Sequence, residues 1–133
     1  IAENFHIDTE RIFLMGNSSG GHIAMMTVLF SEHGLCEKIT NISGVILESA
    51  STDILICAKD PLPPWMQVRP SAVLLGVDKI EGNEELARKA SCGMYITKDI
   101  ELPAVLLLHS ELDPIVSVEN SRVLYDNLVA TGH

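Results

Sequence analysis

Residues 15–22 read Met-Gly-Asn-Ser-Ser-Gly-Gly-His, a knot of small residues between the apolar runs Ile12–Met15 and Ile23–Met26. Glycine loses more conformational freedom on folding than any other residue, so three glycines at an element junction call for a steric reason. Gly16-x-Ser18-x-Gly20 supplies one: a strand must turn sharply into a helix with Ser18 at the apex. Gly16 and Gly20 are then expected to let the two backbones approach each other. Ser19 opens the helix, whose unbonded N–H groups and positive dipole end face the apex. Ser19 is the competing hydroxyl, but only Ser18 has glycine at both −2 and +2.

The rest of the chain alternates strands and helices. A helix end is expected over 1–5, strands over 11–15, 42–47 and 104–109, and helices over 19–30, 83–90 and 117–131. Such alternation implies βαβ units and a parallel sheet. The helix from Ser19 is apolar nearly all round, which predicts burial. The run Ala104–His109 is continuously apolar, as in a strand covered on both faces. Asn83 and Ser117 are expected to cap their helices, Gly132 to end the last one, and Leu124, Tyr125, Leu128 and Val129 to share its buried face. Residues 59–70 hold Pro61, Pro63, Pro64 and Pro70 around Trp65 and predict a lid-like excursion.

Composition narrows the partners. The 133 residues carry nine Lys and Arg against eighteen Asp and Glu, a formal charge of −9. No basic stripe suits nucleic acid, and no apolar run approaches the ~18 residues of a membrane span. Cys36, Cys57 and Cys92 are odd in number and widely spaced, which points to buried free thiols rather than a disulfide frame or a metal site. Neither a metal nor a cofactor is expected.

A serine on such a turn is a nucleophile candidate, with the backbone N–H of Ser19 as one oxyanion-hole donor. Its acid partner should lie on a loop at the carboxyl edge of the same sheet. Asp113, four residues past the strand 104–109, fits, with Glu111 and Asp53 as runners-up. The segments IDTERIFLMGNSSGGHIA, LARKASCGMYI and LPAVLLLHSELDPIVSVENSRVLYDNLVATGH resemble, in register over the whole chain, the esterase/lipase branch of the α/β-hydrolases. That branch includes hormone-sensitive-lipase-like carboxylesterases and acetyl-xylan or feruloyl-esterase-like domains. The resemblance implies a three-layer α/β-hydrolase sandwich with a mostly parallel sheet, Ser18 as nucleophile and Asp113 as the acid. Cys92-Gly93, Ser110 and Ser117 depart from its usual Pro, Gly and Pro.

The general base is the gap in this reading. The histidines are His6, His22, His33, His109 and His133. His6 and His33 belong at the far edge of the sheet from Ser18. His133 lies a whole helix beyond Asp113. His22 reads as a packing histidine, and the family pattern makes His109 structural. The chain 1–133 is therefore expected to be a partial domain, without its N-terminal oxyanion loop and its C-terminal histidine segment, and inert by itself. The expected function is hydrolysis of a small-molecule ester through a serine acyl-enzyme. The alternatives are a serine peptidase of the same fold and a non-catalytic binding domain.

Overall fold

A computed structural model of the chain describes residues 2–133, with side chains from Asn4 onward. The helix end expected over 1–5 is α1 (Ala2–Phe5), and Ile1 lies outside the described residues. Three strands, β1 (Ile12–Asn17), β2 (Ile42–Glu48) and β3 (Ala104–Leu108), form a parallel sheet in the order β1-β2-β3. Leu14 stands opposite Val45 and Gly16 opposite Leu47, while Val45 and Leu47 face Val105 and Leu107. Because strand side chains alternate, this register gathers Leu14, Val45, Leu47, Val105 and Leu107 on one face.

That face is covered by α2 (Ser19–Glu32), by a 3₁₀ turn at Cys92–Tyr95 and by α6 (Glu119–Thr131). Met25 and Leu29 from α2, Val45 and Leu47 from β2, and Leu124 from α6 are all buried in the shared core. Three short helices, α3 (Ile54–Cys57), α4 (Pro70–Leu75) and α5 (Glu84–Lys89), build a second small core around Ile54, Ala72, Ile80 and Ala87.

The opposite face of the sheet carries Phe13, Met15, Leu106 and Leu108, which are 61, 64, 50 and 43% exposed. The apolar run of β3 predicts cover on both faces; among the described residues only one face has it. The α/β layering and parallel sheet stand, and helices lie over a single face.

Smaller expectations shift for local reasons. Asn83 precedes α5 without capping it, because its side-chain amide donates to the carbonyl of Lys79. Ser117 sits one residue before the N-cap Val118, although its hydroxyl accepts from the N–H of Glu119. On α6, Leu124 and Leu128 are buried but Tyr125 and Val129 face outward, so the apolar stripe is narrower than its composition suggests. Ile23 on α2 is likewise exposed. Of the three thiols only Cys92 is fully buried; Cys57 is half-buried and Cys36 exposed. Burial pushes the Cys92 thiol up to about 12 and that of Cys57 to about 11, where Asp60 adds to the effect. Both stay protonated at neutral pH.

The excursion over 59–70 is a closed loop. Arg69 Nη1 donates to the carbonyls of Cys57 and Asp60, at 3.0 and 2.8 Å, and so clasps its neck. Pro70 then starts α4 at a helical position that needs no N–H, and Gly76 ends it with φ 65°.

Candidate active site

Ser18 has φ 53° and ψ −121°, a conformation that costs a side-chain-bearing residue ~1–3 kcal/mol and persists only when its surroundings impose it. Three backbone bonds do so. The N–H of Ser18 donates to the carbonyl of Glu48 on β2 at 2.9 Å, and its own carbonyl accepts from His22 at 3.2 Å and from Ser51 at 3.3 Å. Serine in the N-cap position ordinarily spends its hydroxyl on a helix N–H. Ser18 occupies that position of α2 and its side chain makes no capping bond.

The glycines divide the work differently from expectation. A Cβ on Gly16 would sit 2.2 Å from the carbonyl oxygen of Gly20, and one on Gly21 would sit 2.5 Å from the Cβ of Ala50. A Cβ on Gly20 would meet nothing within 4 Å. The close approach is therefore made by Gly16 against the helix backbone and by Gly21 against the loop after β2. Gly16→Ala is expected to destabilise the fold by at least ~2 kcal/mol through overpacking against backbone. Gly20→Ala should be neutral or stabilising by up to ~1 kcal/mol, from alanine's better helix propensity. Thermal melts of the two variants decide this; a Gly20→Ala protein melting as low as Gly16→Ala would refute the assignment.

Ser18 and Ser19 line a cleft of about 410 Å³. Its other walls include Ile54, Leu62, Pro63 and Met66, then Leu74, Ile115 and Val116, with His22 and Ser51 among the polar residues. The Pro-rich excursion thus forms one wall and the loop after β3 another. The N-terminus of α2 opens on this space, so the N–H of Ser19 is one of the donors left without an intrahelical partner.

Asp113 lies on that second loop. Its Oδ1 accepts from the N–H groups of Ile115 and Val116, each at 2.9 Å, and the Ser49 side chain lies beside the carboxyl. Burial raises its pKa, but the bonds from Val116 and Ile115 and the nearby Ser49 and His109 outweigh that and hold it below the usual carboxylate range. The runners-up are engaged elsewhere. Asp53 Oδ1 caps α3, accepting from Leu55 and Ile56 at 2.8 and 3.0 Å. Glu111 is exposed and pairs with Arg122 at 3.1 Å.

Four of the five histidines hold main-chain carbonyls. A ring nitrogen bonded to a carbonyl must carry the proton. His22 Nε2 therefore donates to Ala90 at 2.7 Å, His33 Nε2 to Tyr95 at 2.6 Å and His133 Nε2 to Thr97 at 2.9 Å. His109 is engaged through both nitrogens, with Nε2 on the carbonyl of Val116 at 2.8 Å and Nδ1 on the Ser121 hydroxyl at 2.7 Å. Its Nε2 lies 3.8 Å from Asp113 Oδ2, too far for a hydrogen bond. His6 sits in the turn before β1, at the end of that strand away from Ser18.

Sequence reading missed the loop after β2. Ser49 lies beside Asp113 and the Ser51 N–H bonds the Ser18 carbonyl, so residues 49–51 run between the two expected functional groups. The small-residue stretch Ser49-Ala50-Ser51 at a strand's carboxyl end was the available signal. Among the described residues no group of three or more His, Cys, Asp and Glu side chains could hold a metal ion. No described helix is long and apolar enough to cross a membrane.

No curated protein sequence matches the chain. Among solved structures it is similar to the bifunctional GH43-CE protein of Bacteroides eggerthii, with TM-score 0.76, 21% identity, and coverage of 98% of this chain and 19% of that one. It is also similar to the carboxylesterase Cest-2923 from Lactobacillus plantarum WCFS1, with TM-score 0.67, 17% identity, and coverage of 98% and 44%. A third likeness is to the Pyrococcus horikoshii acylaminoacyl peptidase, with TM-score 0.67, 20% identity, and coverage of 98% and 20%. The chain thus spans less than half the length of each of these proteins, and identities this low speak for the shared fold. The BD-FAE family model matches residues 1–128. By that match over nearly its whole length the chain belongs to the BD-FAE family, an α/β-hydrolase-type esterase domain.

Proposed function

We propose that the protein is a carboxylic-ester hydrolase that forms an acyl-enzyme on Ser18. One observation carries this most: a serine held in a strained turn at a helix N-cap keeps its hydroxyl out of the cap, at the wall of a largely apolar cleft. The hydroxyl would attack the ester carbonyl, and the N–H of Ser19 would stabilise the oxyanion at the positive end of α2. Asp113, kept ionised by its N–H donors, would orient the histidine that takes the serine proton. Since His22, His33, His109 and His133 are engaged with carbonyls and His6 is on the far side, we assign that base to a histidine outside these 133 residues. The second oxyanion donor is assigned outside them too. On this reading the 133-residue chain by itself turns over no ester.

The cleft also bears on substrate. An apolar cavity of about 150 Å³ accommodates a benzene ring, so about 410 Å³ leaves an acetyl group largely uncontacted. Burying a methylene gains ~0.8 kcal/mol, about fourfold in kcat/KM. For the whole protein, kcat/KM on p-nitrophenyl esters should rise about fourfold per carbon from acetyl to hexanoyl and exceed that on matched anilides. A fluorophosphonate should label Ser18. Absence of labelling at Ser18 would overturn the hydrolase reading; faster turnover of anilides would favour a peptidase of the same fold.

A further inference from the structure

Asn120 is the most completely buried polar side chain among the described residues, at 0% exposure. It lies in the first turn of α6, behind the cleft-lining Cys57, and every polar atom of its amide is engaged. Its Oδ1 accepts from the N–H of Asp53 at 2.9 Å and from the Cys57 thiol at 3.4 Å. Its Nδ2 donates to the carbonyl of Ser117 at 3.2 Å. Its main-chain carbonyl accepts from the Thr52 hydroxyl at 2.9 Å.

Apart from Cys57 at the end of α3, these partners belong to two segments that both bear on the site. The loop over 49–53 gives the Ser51 N–H to the carbonyl of Ser18, sets Ser49 beside Asp113, and ends at Asp53 on the Asn120 amide. The loop over 113–117 carries Asp113 and ends at Ser117, whose carbonyl takes the other end of the same amide. Ser117 is also held from the excursion side, since its N–H donates to Asp60 Oδ2 at 3.1 Å.

Ser49 has φ 44° and Ser18 φ 53°, both in the left-handed region unfavourable to residues with a Cβ. Strain of this kind holds only where the neighbouring structure over-determines it. On one side the loop is pressed against α2, with Ala50 filling the space that a Cβ on Gly21 would need. On the other side its anchor is Asn120.

We propose that Asn120 is a positioning residue that fixes the spacing between the Ser18 elbow and the Asp113 loop by tying the Asp53 N–H to the Ser117 carbonyl through its side-chain amide. The proposal rests on the ester-hydrolase reading of Ser18 and Asp113. Asn120 does not itself line the cleft and meets its wall only through the Cys57 thiol, so its main effect falls on the attack geometry rather than on substrate affinity. Displacement of ~1 Å at a reacting centre can cost about 10²-fold in rate.

The test uses the whole protein and measures how fast a fluorophosphonate acylates Ser18, separately from the fraction of molecules that react. Unfolded molecules lower the fraction; misplaced groups lower the rate. Asn120→Ala and the equally sized Asn120→Asp should each slow acylation 10- to 100-fold, with kcat reduced alike and KM within twofold. Thr52→Val is the matched control, because it removes one buried bond to Asn120 and leaves the amide in place. It should melt at a lower temperature and react at the parent rate. Asn120 variants that react at the parent rate with only a smaller reacting fraction would overturn the proposal. So would a Thr52→Val protein slowed as much as they are. A parent protein unlabelled at Ser18 would instead remove the ester-hydrolase reading, so the two failures are distinguishable.

Discussion

In the whole protein, Ser18→Ala is expected to abolish ester turnover while leaving the fold as stable as before. Removing the nucleophile of a serine protease costs on the order of 10⁶ in kcat, which sets the scale. Truncation of an N-cap serine normally costs ~1 kcal/mol, because a helix N–H loses its acceptor. Ser18 makes no such bond, so the alanine variant should stay within ~0.5 kcal/mol of the parent. Alanine suffers the same positive φ, so the strain is unchanged. Loss of activity with an unmoved melting curve separates a reactive serine from a turn-forming one. Ser19→Ala should retain most activity, since the neighbour contributes its backbone N–H. A Ser18→Ala enzyme with near-parent turnover would eliminate the nucleophile assignment. A melting curve lowered by the amount of a lost cap would show that the hydroxyl serves the helix.

The elbow was legible because its constraint is local. Two backbones that cross within a few residues leave no room for a Cβ at Gly16, whatever the rest of the chain does. Gly20 and Gly21 could not be told apart from sequence, because the group that crowds Gly21 is Ala50, about thirty residues away. The place of Asp113, on a loop at the carboxyl end of β3, was legible from its distance past an apolar strand. What distinguishes it from Asp53 and Glu111 is where each carboxyl sends its hydrogen bonds: to the loop beside the cleft, to the cap of α3, or to Arg122. Asn120 was invisible, since a polar residue in a helix's first turn reads as exposed and its acceptor's partners sit 63 and 67 residues earlier. The outward turn of Tyr125 and Val129 and the open face of Leu106 and Leu108 have a common origin. Apolar composition says that a side chain gains by burial, and the neighbours decide which positions receive it.

Asp113→Asn should lower turnover by about 10⁴-fold, the loss seen when the aspartate of a serine-protease triad is made neutral and the histidine takes the wrong tautomer. The fold should persist. An asparagine oxygen placed at Oδ1 still accepts from Ile115 and Val116, so the loop keeps its shape. The pH dependence gives a second readout. Burial raises the carboxyl's pKa, but the bonds from Val116 and Ile115 and the nearby Ser49 prevail and hold it below the ordinary value. A carboxylate depressed in the folded state contributes stability above its unfolded pKa, and that contribution fades as pH falls through the folded one. The parent's advantage over Asp113→Asn should therefore be constant between about pH 5 and 7 and shrink below about pH 4. Asp53→Asn is the contrasting variant. Asparagine caps helices nearly as well as aspartate, so α3 should survive and most activity remain. An inactive Asp53→Asn enzyme beside an active Asp113→Asn one would move the acid to the loop after β2. Asp53 could then serve only by giving up the N–H groups of Leu55 and Ile56, and the melting curve would register that exchange.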